Sequence, residues 1–383
     1  MSADEQIKNL YSAQNKVQLF RAGTSFFKLL EQLINNAKQR IYIKVYIWKE
    51  DDTGNLIARL LMEASKRKVA VYVMADGYAS QGLSDEFVLA LRKSGVHFKF
   101  FEPLLRSTNF YFGRRMHEKV VVVDGMYATV AGINFADHYN SINNSLPWLD
   151  YALYVEGDAA YDLDSICKKD WKDHSFSLTK PTLTSIGQQY SVRIRQNDWV
   201  KGKQNIWKTY FHWFNQSKES ITIMSSYFLP GRVLMNRLSA ASSRGVKVKV
   251  VLAGPSDVMT AKYAERYLYR WMLRNNIEIY EYQPTVLHAK LMVVDNHFVT
   301  IGSYNVNNIS TYASTELNLD VRNRDFAKEV QHTIDFIIKN DCVIVDKHSA
   351  IIKVGIGTKF VQMIAYYLIR LMLNVSTFYF KQE

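Results

Sequence analysis

Two short stretches carry residue types able to do chemistry on phosphorus. HEKVVVVDG supplies His117, Lys119 and Asp124, and HAKLMVVDN supplies His288, Lys290 and Asp295. Each stretch is rich in β-branched and aliphatic residues and reads as a strand. Side chains two apart on a strand share a face, so His and Lys of each stretch project together while the residue between them faces away. An imidazole can attack phosphorus or hand a proton to a leaving oxygen. The neighbouring ammonium supplies fixed positive charge for nonbridging oxygens.

A single histidine on a strand is ordinarily a satisfied core residue. Repetition changes that reading. The pairs 117 and 288, 119 and 290, 124 and 295, and 134 and 305 are each separated by 171 residues. Asn134 lies in AGIN and Asn305 in GSYN, after small residues at turns, where an amide can donate to phosphate oxygens; Ser303 adds a hydroxyl. Ala131 and Gly132 stand where the second copy has Gly302 and Ser303, so the first copy lacks that hydroxyl. Asp150 in PWLD and Glu316 in STELNL fall at comparable points and are predicted to orient the imidazoles through one ring nitrogen.

The elements around the motifs repeat as well. The run 41–48, IYIKVYIW, is followed by a helix-period stretch from Leu56 to Lys66 and a strand at 69–76; 221–228, ITIMSSYF, is followed by Val233 to Ser243 and a strand at 246–254. Each half then adds a helix and a further strand, at 97–103 and 277–284, before its motif. Strands alternating with helices of this length predict two homologous α/β lobes, each a mixed sheet flanked by helices and related by pseudo-two-fold symmetry. The polar, turn-rich text from Pro181 to Gln189 sets the boundary, giving lobes at 1–182 and 183–350 and an amphipathic tail at 351–383.

Composition restricts the function classes. With 48 Lys and Arg against 36 Asp and Glu, the chain carries a surplus of +12 that suits anionic partners, whether phospholipid or nucleic acid. Two cysteines, Cys167 and Cys342, form no C-x-x-C pair, which argues against a disulfide framework or thiolate zinc site. No H-E-x-x-H and no carboxylate-histidine cluster at ligand spacing occurs outside the motifs, so no metal and no cofactor is expected. Met1 to Leu10 lacks a secretory pattern, which predicts cytosolic exposure, and no apolar run reaches spanning length.

H-x-K-x4-D followed by small-small-x-Asn and a later acid resembles the signature of the phospholipase D superfamily, in both halves of the chain. GRRMHEKVVVVDG, AGINFADHY, PWLDYALYVEG and GSYNVNNISTYASTELNLDV are similar to bacterial cardiolipin synthases. The resemblance implies paired lobes serving one phosphodiester site and no metal. It implies a phosphohistidine on one imidazole, His117, with His288 as acid and base; Lys119, Lys290, Asn134 and Asn305 would hold phosphate. The implied reaction converts phosphatidylglycerol to cardiolipin at the cytoplasmic face of the membrane, by a peripheral protein. The implied partners are anionic phospholipid and the membrane surface, not nucleic acid, and a homodimer is compatible. A lipid hydrolase or a nuclease would carry the same motifs. Arg114, Arg115 and Lys66 to Lys68 are candidate phosphate contacts. In the tail, Phe360, Val361, Met363, Ile364, Leu368, Leu371, Met372 and Phe378 form a wide apolar face for the bilayer interface or the protein's own core.

Overall fold

Runs of β-branched residues become strands here because both of their faces are covered. All six residues of the strand Arg40–Val45 are buried, and so are all four of Val120–Val123. The computed structural model describes residues 11–103, 114–173, 178, 189–349 and 351–377. The predicted connector up to residue 188, the boundary at 182, the amino-terminal ten residues and Phe378 lie outside the described residues. The chain forms two compact units: Met1–Arg195 with Ile301–Ser303 and Leu317–Arg322, and Gln196–Thr300 with Tyr304–Glu316 and Asn323–Glu383.

In the first unit the strands are β1 (Asn15–Arg21), β2 (Arg40–Val45), β3 (Ala70–Asp76), β4 (His97–Phe101), β5 (Arg115–Met116), β6 (Val120–Val123), β7 (Tyr127–Ala131) and β8 (Tyr151–Gly157). Seven of them build a mixed sheet in the order β1-β8-β7-β6-β2-β3-β4. β2, β3 and β4 run parallel, while the motif strand β6 pairs antiparallel with β2, Lys44 opposite Val120. Helices α1 (Thr24–Asn36), α2 (Asp52–Lys66), α3 (Asp85–Lys93) and α4 (Asp158–Trp171) cover it. Asp51 and Ser84 cap α2 and α3 by accepting from Gly54 N and Phe87 N, satisfying amides that a helix start leaves bare. Phe26, Leu30 and Ile34 of α1 and Ile57 and Leu61 of α2 pack on Ile41, Ile43, Val71 and Val73 in one core.

Strands β9 (Ser191–Asp198), β10 (Lys203–Gln204), β11 (Ser220–Ser225), β12 (Lys247–Ala253), β13 (Glu278–Tyr282), β14 (Lys290–Val294), β15 (Phe298–Gly302), β16 (Ser314–Arg322) and β17 (Cys342–Val345) follow. The helices are α5 (Asn205–Gln216), α6 (Arg232–Ser243), α7 (Met259–Arg274), α8 (Asn308–Tyr312), α9 (Arg324–Asp341) and α10 (Ile356–Thr377). The second unit repeats the first in the run β14-β11-β12-β13, with β17 added at its edge. β11, β12 and β13 are parallel, and β14 returns antiparallel to β11 with Met224 opposite Leu291. Residues 44 and 224 thus hold the same place relative to the two motifs. The predicted α/β fold with a mixed sheet in each half is what the chain adopts.

The motif aspartates belong to this framework. Asp124 and Asp295 sit at the far ends of their strands from the histidines, each with a positive φ, 53° and 51°. Asp124 accepts from the backbone amides of Lys38, Gln39 and Arg40 at 2.8–2.9 Å, and Asp295 from those of Lys218, Glu219 and Ser220 at 2.8–3.2 Å. Each carboxylate therefore ties the entrance of β2 or β11 to the end of its motif strand. Replacing Asp124 by Ala is expected to cost about 1–3 kcal/mol in chemical denaturation, with Asn retaining part of the loss.

Behind β6, Glu118 points away from His117 and Lys119, as strand alternation requires, and pairs with the buried Lys44 ammonium at 2.7 Å; Asp170 of α4 closes a triad. Burial works to lower the Lys44 pKa, but the two carboxylates outweigh it and hold the ammonium above its ordinary value. Lys44→Ala would leave two carboxylates without their cation and is expected to destabilise the chain by about 3–5 kcal/mol, read from the denaturation midpoint.

Candidate active site

Both histidine-lysine pairs lie where β6 and β14 begin, beside the carboxyl ends of the parallel strands, the usual ligand-binding end of an α/β sheet. His117 is half-buried and His288 is buried, as are Lys119 and Lys290. Each lysine folds back on its own motif: Lys119 Nζ donates to the His117 carbonyl at 2.7 Å, and Lys290 Nζ donates to the His288 carbonyl. Lys290 Nζ also lies 2.9 Å from His288 Nδ1. In the first motif the Lys119 ammonium rests over the Tyr46 ring, 4.7 Å from its centroid, and the same ring meets His117 edge-to-face at 4.7 Å.

The asparagines act on the loops that follow β2 and β11. Asn134 is fully buried; its Oδ1 accepts from Ile47 N at 3.0 Å and its Nδ2 donates to the Tyr139 hydroxyl at 3.0 Å. Asn305 Oδ1 accepts from the Ser226 hydroxyl at 2.7 Å. Ser303 is buried and its hydroxyl accepts from Leu317 N at 3.1 Å. The carbonyl oxygens of both asparagines are thus engaged with the loops beside the motifs, as buried polar atoms require. Asp150 is also fully buried, with Oδ1 accepting from Tyr151 N at 2.7 Å. A Cβ at Gly132 would lie 2.4 Å from that carboxylate, so the glycine of AGIN makes room for Asp150. Glu316 on β16 is fully buried as well.

The basic candidates separate. Arg115 is half-exposed, donates to the Glu102 carbonyl at 3.1 Å and lies over the Tyr78 ring. Arg114 is buried and paired with Glu102 at 2.7 Å. Lys66 to Lys68 lead into the start of β3, at the opposite end of the sheet from His117; Lys66 pairs with Glu63 and Arg67 donates to the Ile34 carbonyl. That cluster is therefore remote from the motif, and Arg67 ties the end of α2 to the last turn of α1.

Sequence reasoning missed the residues that hold the motif loops. Asp76, buried at the end of β3, accepts from Met116 N at 2.8 Å, one residue before His117, and from Tyr78 N and Ala79 N. Burial pushes its carboxyl above the usual range, opposed by those amides and by the Arg115 charge. Ser80 accepts from Trp48 N and donates to the Tyr46 carbonyl, both at 3.0 Å. In the second unit Glu265 takes this part, accepting from Phe228 N at 3.2 Å. Glu265 and Glu281 share the buried Lys262 ammonium at 2.9 and 2.8 Å. The only sequence signal for Asp76 is an acid closing an apolar strand run, followed by Gly77, whose Cβ would lie 2.6 Å from Pro103 Cα.

The family described as cardiolipin synthase, PLD-like domain matches residues 30–171 and again 210–337. The chain is 32% identical to cardiolipin synthase B of Salmonella typhi and 30% identical to cardiolipin synthase B of Escherichia coli K12, in each case over 87% of this chain and 83% of the relative. Phosphatidylserine synthase of Haemophilus influenzae shares its fold, with a TM-score of 0.70, 15% identity and coverage of 98% of this chain and 99% of that one. One domain matched twice, once around each histidine pair, over most of the chain's length means that the chain belongs to the phospholipase D superfamily, in its cardiolipin synthase-like branch of phosphatidyltransferases.

Proposed function

We propose that the chain moves a phosphatidyl group from one phosphatidylglycerol to the glycerol hydroxyl of another, forming cardiolipin and releasing glycerol, with His117 as nucleophile. The observation that carries this reading is the strand-borne His-Lys pair repeated at the same register in a chain whose relatives are cardiolipin synthases. A ring nitrogen of His117 attacks phosphorus, the bond to the leaving glycerol oxygen breaks, and His288 supplies the proton that oxygen takes up. His288 then removes the proton from the incoming hydroxyl as its oxygen bonds phosphorus and the phosphorus-nitrogen bond breaks. Lys119 and Lys290 would neutralise the nonbridging oxygens, Arg115 would meet the head group at the rim, and the buried carboxylates Asp150 and Glu316 would orient the imidazoles.

One phosphodiester replaces another in this exchange, so little free energy separates reactants from products. Transfer rather than hydrolysis then requires that a lipid alcohol reach the phosphohistidine ahead of water, which favours a site at a lipid surface. Helix α10 supplies a reason to place it there. It packs on α7 through Gln362, Ala365 and Tyr366, which are 6–9% exposed, and Tyr366 stacks on Tyr267 at 4.8 Å. Arg370 bonds the Tyr366 hydroxyl at 2.9 Å. Phe360, Val361, Ile364, Leu368, Leu371 and Met372 point outward, 47–61% exposed. The helix is thus apolar on two sides, with Ala365, Tyr366 and Ile369 toward the protein and a continuous apolar stripe toward the outside. No helix among the described residues is long and apolar enough to cross a membrane. The stripe instead suits insertion at the level of the head groups, with the basic surplus of the chain favouring an anionic leaflet.

Incubation with phosphatidylglycerol vesicles is expected to yield cardiolipin and glycerol. Phosphatidic acid as the sole product would replace transfer by hydrolysis, and cleavage of oligonucleotides without lipid turnover would make the chain a nuclease. His117→Ala and His288→Ala should each lower turnover by about a thousandfold or more while binding vesicles as the parent does. In a flotation assay, Phe360→Glu combined with Leu368→Glu should weaken partition onto anionic vesicles at least about tenfold without changing the melting temperature. Unchanged partition would remove the stripe from membrane binding.

A further inference from the structure

The two motifs sit in matching frames but have unlike neighbours at one position. The pairings Lys44 with Val120 and Met224 with Leu291 make residue 46 of the first unit equivalent to residue 226 of the second. A tyrosine stands at the first place and Ser226 at the second. The Tyr46 ring touches both reactive groups of its motif: His117, with 71° between the ring planes, and the Lys119 ammonium above its face. Its backbone has little play. The Tyr46 carbonyl accepts from Ser80 Oγ, Ile47 N donates to Asn134, and Trp48 N donates to Ser80. Ser226 brings no ring to its motif and instead donates to Asn305, and there Lys290 engages the imidazole nitrogen of His288.

We propose that Tyr46 is a positioning residue that makes the two histidines chemically unequal. This rests on the reading of His117 and Lys119 as a reacting pair. The electron-rich face of the phenol ring attracts the Lys119 ammonium and holds it next to His117. The lysine charge then points toward phosphoryl oxygens, and the ring edge restrains rotation of His117 about its side-chain bonds, so that its nucleophilic nitrogen keeps one direction. No ring stands at the equivalent position beside His288, where Ser226 occurs.

Two substitutions separate the ring's electrostatics from its bulk. Tyr46→Phe keeps the aromatic face, and Tyr46→Leu keeps most of the volume without it. The Phe variant is expected to retain kcat on phosphatidylglycerol vesicles within about threefold. The Leu variant should lose about tenfold or more in kcat, with KM changed by less than about threefold and the melting temperature unchanged. Binding of inorganic phosphate, titrated by calorimetry, should weaken about fivefold in the Leu variant and not in the Phe variant. A Leu variant that equals the Phe variant in kcat and in phosphate affinity overturns the assignment. Absence of phosphatidylglycerol turnover in the parent protein would instead count against the proposed reaction, while the phosphate comparison still decides the role of Tyr46.

Discussion

The antiparallel pairing of β6 with β2, and of β14 with β11, is the constraint on which the arrangement of each motif depends. It brings the start of a motif strand beside the carboxyl end of the parallel strands and sends its far end back to their beginning. A histidine and a lysine two residues apart at that start share one face. The aspartate seven residues beyond the histidine lands at the opposite end, where three backbone amides await an acceptor. One pairing therefore separates the motif's chemical end from its structural end. The shared spacing of the two motifs is the imprint of that geometry, since a shift by one residue would turn every side chain to the other face.

The same frame is supported by different chemistry in the two units. Behind His117 the strand is backed by the Lys44–Glu118–Asp170 triad, whereas Met224 and Ala289, both buried, stand at the matching places behind His288. The loop after β2 is held by Ser80 and Asn134; the loop after β11 is held by Glu265, which answers to a buried lysine and a second glutamate. Buried polar groups demand complete partnering, so each unit has built a separate closed network to satisfy the same backbone amides. Divergence has thus accumulated in the supports while the motif register stayed common, and Tyr46 opposite Ser226 is where that divergence reaches the histidines themselves.

Helix α10 shows how far a periodic pattern can be read. Its alternation of polar and apolar positions announces an amphipathic helix, and a helix forms. The pattern by itself leaves open whether the apolar face meets the bilayer interface or the protein's own core. Packing covers one side of the helix: Gln362, Ala365 and Tyr366 are buried, Arg370 turns back to Tyr366, and Tyr366 stacks on Tyr267. A hydrophobic stripe specifies that a partner exists but carries no information about which of two apolar surfaces it will find, because apolar burial is non-directional.

Strand alternation, the duplicated order of elements and the pairing of His with Lys were determined by the sequence alone, because each follows from local periodicity and from spacing that repeats in the chain. The asparagines, Ser303 and the motif aspartates were legible as parts of the motif, but their hydrogen-bond partners were not. Whether a carboxamide meets a ligand or a loop amide depends on what distant segments bring within three ångströms, as Ile47 does for Asn134 and residues 38–40 do for Asp124. Asp76, Ser80, Glu265 and Tyr46 acquired their places only through tertiary contact, since hydrogen bonds and ring contacts between residues tens of positions apart leave no period in the text.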